Sequence, residues 1–212
     1  MVEIIPSILT SSPDEFDEMM RLAEVHFSSV HLDIADGVFV PNMTVGGIDE
    51  LKRIHTTLKI TVHLMVSNPE HILTQWLNTE VGGLTLHIES TSQMDELIDK
   101  TKAGGKKVGV ALNPDTPIEE IEPFVKKADF IQFMTVDPGF YGSEFREEVL
   151  SKMNDLKQKY PAVKLWADGG INPATAKRVV QAGAEVLAVG SYFFGNGKDL
   201  DEALENMKKA EL

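Results

Sequence analysis

The chain has 212 residues, of which 42% are hydrophobic and 25% are charged. This length suits one domain with a full hydrophobic core, and the near-average composition excludes a disordered or fibrous protein. The formal net charge of −13, with no dense cluster of Lys and Arg to offset it, argues against a nucleic-acid partner. An anionic small molecule is still possible, because backbone N–H groups bind anions regardless of net charge.

The chain contains no cysteine, which excludes disulfides, thiolate metal sites and a cysteine nucleophile. Any metal ion must therefore be held by histidines and carboxylates. No apolar stretch approaches the roughly 18 residues that a membrane-spanning helix needs. The N-terminal segment "MVEIIPSILT" has no basic region before its apolar run, so a secretion signal is not indicated. We expect a cytoplasmic protein that does not interact with membranes.

Short β-rich runs alternate with segments of helical spacing along the chain. The eight runs read "EIIPSIL", "SVHLDIA", "ITVHLMV", "LTLHIES", "KVGVALN", "FIQFMTV", "VKLWADG" and "EVLAVGS". The helical segments read "PDEFDEMMRLAEV", "PEHILTQWLNTE", "SQMDELIDKTKAG", "REEVLSKMNDLKQKY", "PATAKRVVQAG" and "LDEALENMKKA". Ser12, Asn68 and Asn172 each precede a proline and are expected to cap the helices that follow.

This alternation predicts parallel strands with right-handed crossovers, and eight units of about 26 residues suit an α/β fold of the (β/α)8 TIM-barrel type. We expect one such domain over residues 1–212. An open, doubly wound sheet is the alternative. The barrel is favoured because polar residues follow or end nearly every run, whereas an open sheet gathers its ligand contacts at one switch point. These residues are Ser7, His31, Asp33, His63, His87, Glu89, Asn113, Asp137, Asp168 and Ser191.

Two ionisable side chains share one face of the second run. His31 and Asp33 are two residues apart, so both point to the same side of a strand. His63 and Asp168 occupy comparable heights on the third and seventh runs. Each residue alone reads equally well as a hydrogen-bonded strand-end group, but four together predict a two-histidine, two-aspartate metal site. Such ligands suit zinc, manganese or ferrous iron, which can polarise a carbonyl.

Glycine-rich loops follow the last three runs, and they predict a phosphate site. They read "DPGFYG" at 137–142, "DGGIN" at 168–172 and "VGS" at 189–191. Glycine lets backbone N–H groups approach an anion closely. Phosphate commonly binds at the loops after the last two strands of a barrel.

Several of these segments together resemble the ribulose-phosphate 3-epimerase family. The matching blocks, in the same order and across nearly the whole chain, are "PSIL", "HLDIADGVFVPN", "VHLMV", "LNPDTP", "MTVDPGFYG", "ADGGIN" and "VGS". The resemblance implies a pentose-phosphate-pathway isomerase that converts D-ribulose 5-phosphate to D-xylulose 5-phosphate. It also implies one divalent metal ion (zinc, iron(II), manganese or cobalt) and self-association into dimers or hexamers.

The resemblance assigns residue roles as well. The metal would be held by His31, Asp33, His63 and Asp168, and the two aspartates would be the acid/base pair that acts through a cis-enediolate. Two opposed carboxyl groups suit this chemistry, because a proton must leave C3 on one face and return on the other. The expected substrate contacts are Ser7, His63, Met65, Met134, Gly139, Phe140, Tyr141, Gly142, Gly169, Gly170, Gly190 and Ser191.

Two departures from the family pattern leave the substrate open. Ala35 stands where a third methionine is common, and Tyr141 and Ser143 replace the second glycine and the glutamine that are common in the phosphate loop. An epimerase of a longer sugar such as D-allulose 6-phosphate is therefore the first alternative. A sugar-phosphate-binding barrel without turnover is the second.

Overall fold

Eight parallel strands close into a single barrel. The computed structural model describes residues 2–195 and 199–210, and the sheet order runs from β1 to β8 with β8 paired back to β1. The predicted (β/α)8 barrel is thereby confirmed and the open sheet is wrong; that one domain covers all of residues 1–212 stays a prediction. The strands are β1 (Glu3–Ile8), β2 (Ser29–Ala35), β3 (Lys59–Met65), β4 (Gly83–His87), β5 (Lys107–Leu112), β6 (Phe130–Met134), β7 (Leu165–Asp168) and β8 (Ala184–Val189).

Helices follow the strands in the described ranges. They are α1 (Pro13–His26), α2 (Ile48–Arg53), α3 (Leu73–Leu77), α4 (Met94–Ala103), α5 (Ile118–Ile121), α6 (Val149–Lys159), α7 (Pro173–Gln181), α8 (Ser191–Phe194) and α9 (Leu200–Lys208). The sequence pattern missed α2, α5 and α8 because they are too short to show a helical period. Within residues 2–195 and 199–210, no helix combines the length and the apolar character that crossing a bilayer requires.

The predicted caps hold at two of three helix starts. The Ser12 hydroxyl accepts from the N–H of Glu15, and the Asn172 side chain accepts from the N–H groups of Ala174 and Thr175. Asn68 is wrong as a cap, because its backbone is left-handed (φ 54°) and its side chain makes no capping bond. The segment that was predicted as one helix over 69–80 is a 3-10 turn at Pro69–His71 followed by α3.

The main core lies between the barrel and the helices. Outward-facing strand residues such as Leu32, Leu64 and Phe133 are fully buried there. Inside the barrel, a small apolar group around Ile5 and Val186 packs against Trp166 near the amino-terminal ends of the strands. Farther along the strands, the interior carries buried polar side chains instead. They are Ser7, His31, Asp33, His63, Thr85, His87, Gln132 and Asp168. The alternation of side chains along each strand separates these two environments.

Strand register brings the polar residues together. On neighbouring strands β2 and β3, Asp33 pairs directly with His63. Ser7 of β1 pairs with His31 of β2. The fourth residue, Asp168, ends β7 across the barrel from this pair. The closed barrel thus brings the side chains of all four predicted metal ligands together in its interior.

Candidate active site

Four buried side chains converge at the carboxyl end of the barrel. His31, Asp33, His63 and Asp168 each offer one nitrogen or oxygen, and these atoms all lie within 4.8 Å of one another. The four residues are at most 6% exposed. This is the cluster that the sequence predicted from four separate strand positions.

Asp33 is the centre of the contacts in this cluster. Its Oδ1 lies 2.8 Å from Nδ1 of His63 and 3.3 Å from Nδ1 of His31. The Ser7 hydroxyl donates to the other oxygen, Oδ2. Asp168 approaches the same two nitrogens with its Oδ2, at 3.4 Å from His63 and 3.9 Å from His31. Each imidazole therefore faces both carboxylates.

The pKa values of His31, Asp33 and His63 depend on the charges of their neighbours. Burial disfavours the protonated form of His63, but hydrogen bonds with Asp168 and Asp33 outweigh burial and raise its pKa to about 9. Burial likewise opposes protonation of His31, yet attraction to Asp33 and Asp168 raises its pKa. Burial alone would raise the pKa of Asp33. Attraction to His31 and hydrogen bonds with His31 and His63 outweigh burial and lower this pKa below its usual range. The pocket thus favours an ionised Asp33 and positive charge on the imidazoles beside it.

Sequence reasoning missed one buried residue in this cluster, Gln132 of β6. Its Oε1 lies 3.0 Å from Nε2 of His31, and its Nε2 donates to Oδ2 of Asp168 at 3.1 Å. Since the amide oxygen can only accept, this bond places a proton on Nε2 of His31, and in the neutral ring the lone pair is then on Nδ1. The signal in the sequence was a single polar residue inside the apolar run "FIQFM".

A second chain of contacts leads away from His63. Its Nε2 lies 2.8 Å from Nε2 of His87, and Nδ1 of His87 lies 3.1 Å from Oε2 of Glu89. Glu89 also accepts from the N–H of Asn113 and from the hydroxyl of Thr116. His87 and Glu89 thus form a chain that supports His63 from outside the cluster.

Above the cluster lies a pocket of about 50 Å³. Asp33 and Asp168 form part of its wall. All but one of the predicted substrate contacts also line it, namely Ser7, Met65, Met134, Gly139, Phe140, Tyr141, Gly142, Gly169, Gly170, Gly190 and Ser191. The exception is His63, which is fully buried against Asp33.

Two glycines are required where the glycine-rich loops after β7 and β8 approach other groups. Gly169 has a left-handed backbone (φ 108°), and a Cβ there would lie 2.3 Å from Cγ2 of Val136. At Gly190, a Cβ would lie 2.5 Å from Cε1 of the Tyr141 ring. Both positions therefore keep backbone atoms exposed to the pocket where a side chain would close it.

Tyr141 joins the loop after β6 to the first strand. Its hydroxyl donates to the carbonyl of Ser7 at 2.6 Å and accepts from the N–H of Leu9 at 2.9 Å. Burial raises the pKa of this phenol, so the group stays neutral. In the same loop, the side chain of Phe140 is 52% exposed. The amide of Asn42 donates to the carbonyl of Gly139 at 2.6 Å and joins this loop to the one after β2.

Comparison with known proteins agrees with this geometry. The model of the "Ribulose-phosphate 3 epimerase family" matches residues 3–194. The chain belongs to the ribulose-phosphate 3-epimerase family. The cytoplasmic isoform of ribulose-phosphate 3-epimerase from Oryza sativa subsp. japonica is 39% identical over 91% of this chain and 87% of its own length. The ribulose-phosphate 3-epimerase of Bacillus subtilis is 33% identical, with 98% of this chain and 99% of the relative covered.

Solved structures show that this epimerase-family chain shares its fold with other barrels. A mutant tryptophan synthase α-subunit from Pyrococcus furiosus matches with a TM-score of 0.70 at 16% identity, covering 99% of this chain and 96% of the other. Orotidine 5'-monophosphate decarboxylase from Sulfolobus solfataricus matches with a TM-score of 0.68 at 12% identity, covering 100% and 98%. At these identities the likeness concerns the fold alone.

Proposed function

We propose that the protein is a metal-dependent 3-epimerase that converts D-ribulose 5-phosphate to D-xylulose 5-phosphate. The observation that carries this proposal is the pair of carboxylates, Asp33 and Asp168, in the wall of one small pocket beside glycine-rich loops. The pair comes from two separate strands, β2 and β7, with β8 and β1 between them in the ring. Family membership supports the reaction class, and the rice and Bacillus relatives carry the name of this activity.

The two aspartates divide the proton chemistry. Epimerisation beside a ketone removes the C3 proton on one face of the sugar and returns a proton on the other. One aspartate begins ionised and takes the proton, while the other begins protonated and gives one, and the roles reverse in the opposite direction. Between the two steps the sugar is a planar cis-enediolate. A hydrogen bond from Ser7 holds the Asp33 carboxylate in place for its step.

The residues present fit a divalent cation. Nδ1 of His31 is buried and makes no hydrogen bond, and in the neutral ring it carries the lone pair because Gln132 engages the other ring nitrogen. Two imidazoles and two carboxylates form a donor set that suits zinc, iron(II), manganese or cobalt. His31, Asp33, His63 and Asp168 would hold the ion. When bound, a divalent ion lowers the energy of negative charge on neighbouring oxygens.

The loops after β6, β7 and β8 would receive the phosphate. Gly170 lies in the loop after β7, Gly190 and Ser191 follow β8, and all three line the pocket. Their backbone N–H groups bind an anion without a nearby Lys or Arg, which fits the acidic composition of the chain. Met65 and Met134 line the same pocket, where they would exclude water from the sugar.

Deuterium transfer tests the proposed reaction. The metal-loaded protein is incubated with D-ribulose 5-phosphate in deuterated water, and we expect xylulose 5-phosphate with deuterium at C3. Absence of both product and deuterium would eliminate the proposal. A parallel assay with D-allulose 6-phosphate compares kcat/KM and decides whether the longer sugar is preferred. A sugar-phosphate-binding barrel without turnover would instead be stabilised by both ligands and exchange no C3 proton.

Self-association and location stay predictions. We propose a dimer or hexamer, as the family resemblance implies, and light scattering of the purified protein gives the answer. We also propose a cytoplasmic location. The rice relative is a cytoplasmic isoform, whereas an Arabidopsis thaliana relative that is 35% identical is chloroplastic. Fluorescence microscopy of a tagged full chain distinguishes these locations.

A further inference from the structure

The ring of Tyr141 forms one wall of the pocket between the candidate reaction centre and the phosphate loops. At one end, its hydroxyl is bonded to the backbone of Ser7 and Leu9. Ser7 in turn donates its own hydroxyl to Asp33. At the other end, the ring lies against Gly190, where a Cβ would meet it at 2.5 Å. One side chain therefore joins β1, beside a candidate acid/base group, to the end of β8.

The Tyr141 ring is held at several points. Two hydrogen bonds to the main chain of β1 and the residue after it fix the hydroxyl, and the ring is in close contact with Gly190. A tyrosine side chain has only two rotatable bonds, so little freedom remains once both ends are held. The ring is a firm boundary rather than a mobile cover.

The pocket beside the Tyr141 ring is small. The free volume of about 50 Å³ is enough for only a few water molecules, each of which needs at least about 10–15 Å³. In a ketose that reacts at C3, a 5-phosphate is two carbons from the reacting atom and a 6-phosphate is three. The extra carbon adds a bond of about 1.5 Å, which must fit between the aspartates and the phosphate loops.

We propose that Tyr141 is the residue that limits the length of the ketose phosphate, admitting a pentulose 5-phosphate and disfavouring a hexulose 6-phosphate. This inference rests on the proposed function, because it presumes that the sugar lies between Asp33 and the loops after β7 and β8. The ring acts by its volume, and the hydroxyl acts by holding the ring against Gly190. Discrimination by one added methylene in a hydrophobic pocket is typically about 10–200-fold.

Two substitutions separate the ring from its hydroxyl. Tyr141→Ala removes the wall, whereas Tyr141→Phe keeps the ring and loses both hydrogen bonds. Steady-state kcat and KM are measured for D-ribulose 5-phosphate and D-allulose 6-phosphate, and the ratio of the two kcat/KM values is the readout. Tyr160→Phe is the matched control, because Tyr160 lies at the end of α6, outside the pocket.

We expect Tyr141→Ala to lower the ratio of pentulose to hexulose by about tenfold or more, mainly through a lower KM for the hexulose. Tyr141→Phe is expected to keep the ratio within about threefold of wild type, and Tyr160→Phe to leave kcat and KM unchanged. A role in loop structure alone would weaken both substrates equally and leave the ratio constant. An unchanged ratio in Tyr141→Ala overturns the inference, as does a wild-type preference for the hexulose.

A third variant tests the inference if Tyr141→Ala does not fold, and a binding measurement tests it if the protein shows no turnover. If Tyr141→Ala does not fold, Tyr141→Leu reports on the shortened side chain with the same expected direction. If the wild type converts neither sugar, the proposed function fails, and the ratio of dissociation constants for the two sugar phosphates then tests length selection separately. A ratio that is equal in the wild type and in Tyr141→Ala rejects it.

Discussion

Replacing Gln132 by methionine should weaken cation binding although Gln132 itself is not a proposed ligand. The methionine keeps most of the volume of this fully buried side chain but removes the acceptor for His31 and the donor to Asp168. Losing a group that orients metal ligands typically lowers affinity 10–100-fold, which corresponds to about 1.4–2.8 kcal/mol. Gln132→Met should change the metal dissociation constant by that factor.

Stability should fall in the same variant. The hydrogen bond to the Asp168 carboxylate contributes about 1.5–3 kcal/mol and the bond with His31 about 0.5–1.5 kcal/mol, so a combined loss of roughly 2–4 kcal/mol is expected. Metal affinity is measured by competition with a coloured chelator, and the free energy of unfolding by denaturant titration of the metal-free protein.

A neighbouring substitution separates the two effects. Ile131 precedes Gln132 on β6, faces outward into the main core and is fully buried. Ile131→Val should cost about 0.5–1.5 kcal/mol of stability and leave metal affinity unchanged. A folded Gln132→Met protein that binds metal within about threefold of wild type would refute the reasoning, because the amide would then not orient His31 and Asp168.

Three further outcomes are expected. Asp33→Asn should reduce kcat about 10²–10⁴-fold, as measured by deuterium incorporation at C3, and a wild-type rate would rule out its acid/base role. Adding zinc at 100 times its dissociation constant should stabilise the metal-free protein by about 2.7 kcal/mol, or roughly 5–10 °C in Tm at this size; an unchanged Tm would contradict the site. Gly169→Ala should destabilise the fold by about 1–3 kcal/mol, because a φ of 108° is strained for alanine and the added Cβ would meet Val136. Thermal unfolding measures this loss, with Gly46→Ala as the control because a Cβ there meets nothing within 4 Å.

Strong periodicity made the strands and the long helices predictable. Each of the eight β-rich runs matches one strand of the barrel, although β3, β4 and β8 begin one residue earlier than predicted. Helices α4, α6, α7 and α9 fall within the predicted helical segments, and α1 extends one residue beyond its segment. The short α2 buries none of its residues, so no apolar period marks it. At Asn68, the proline that follows looked like a first-turn residue, but the left-handed backbone forms a 3-10 turn instead.

Residue type predicted the ligand cluster, but not the groups that position it. His31, Asp33, His63 and Asp168 are unusual inside apolar runs, and the two-residue spacing indicated which side chains share a face. The contacts of Gln132 with His31 and Asp168 were not predicted, because they depend on the order and register of the strands in the barrel. The bonds of Tyr141 to Ser7 and Leu9 span more than 130 positions, a contact that local sequence patterns do not encode.

The distribution of the four donors around the ring links cation binding to folding. Residues 29–65 supply three of them from the adjacent strands β2 and β3, where Asp33 and His63 stand side by side. The fourth comes from β7, and it reaches the others only when β8 has joined β1 and the cylinder is complete. A half-assembled intermediate can therefore offer three donors at most. Binding of an ion by all four donors would therefore require that β8 has paired with β1, and a bound ion would link β2 and β3 to β7.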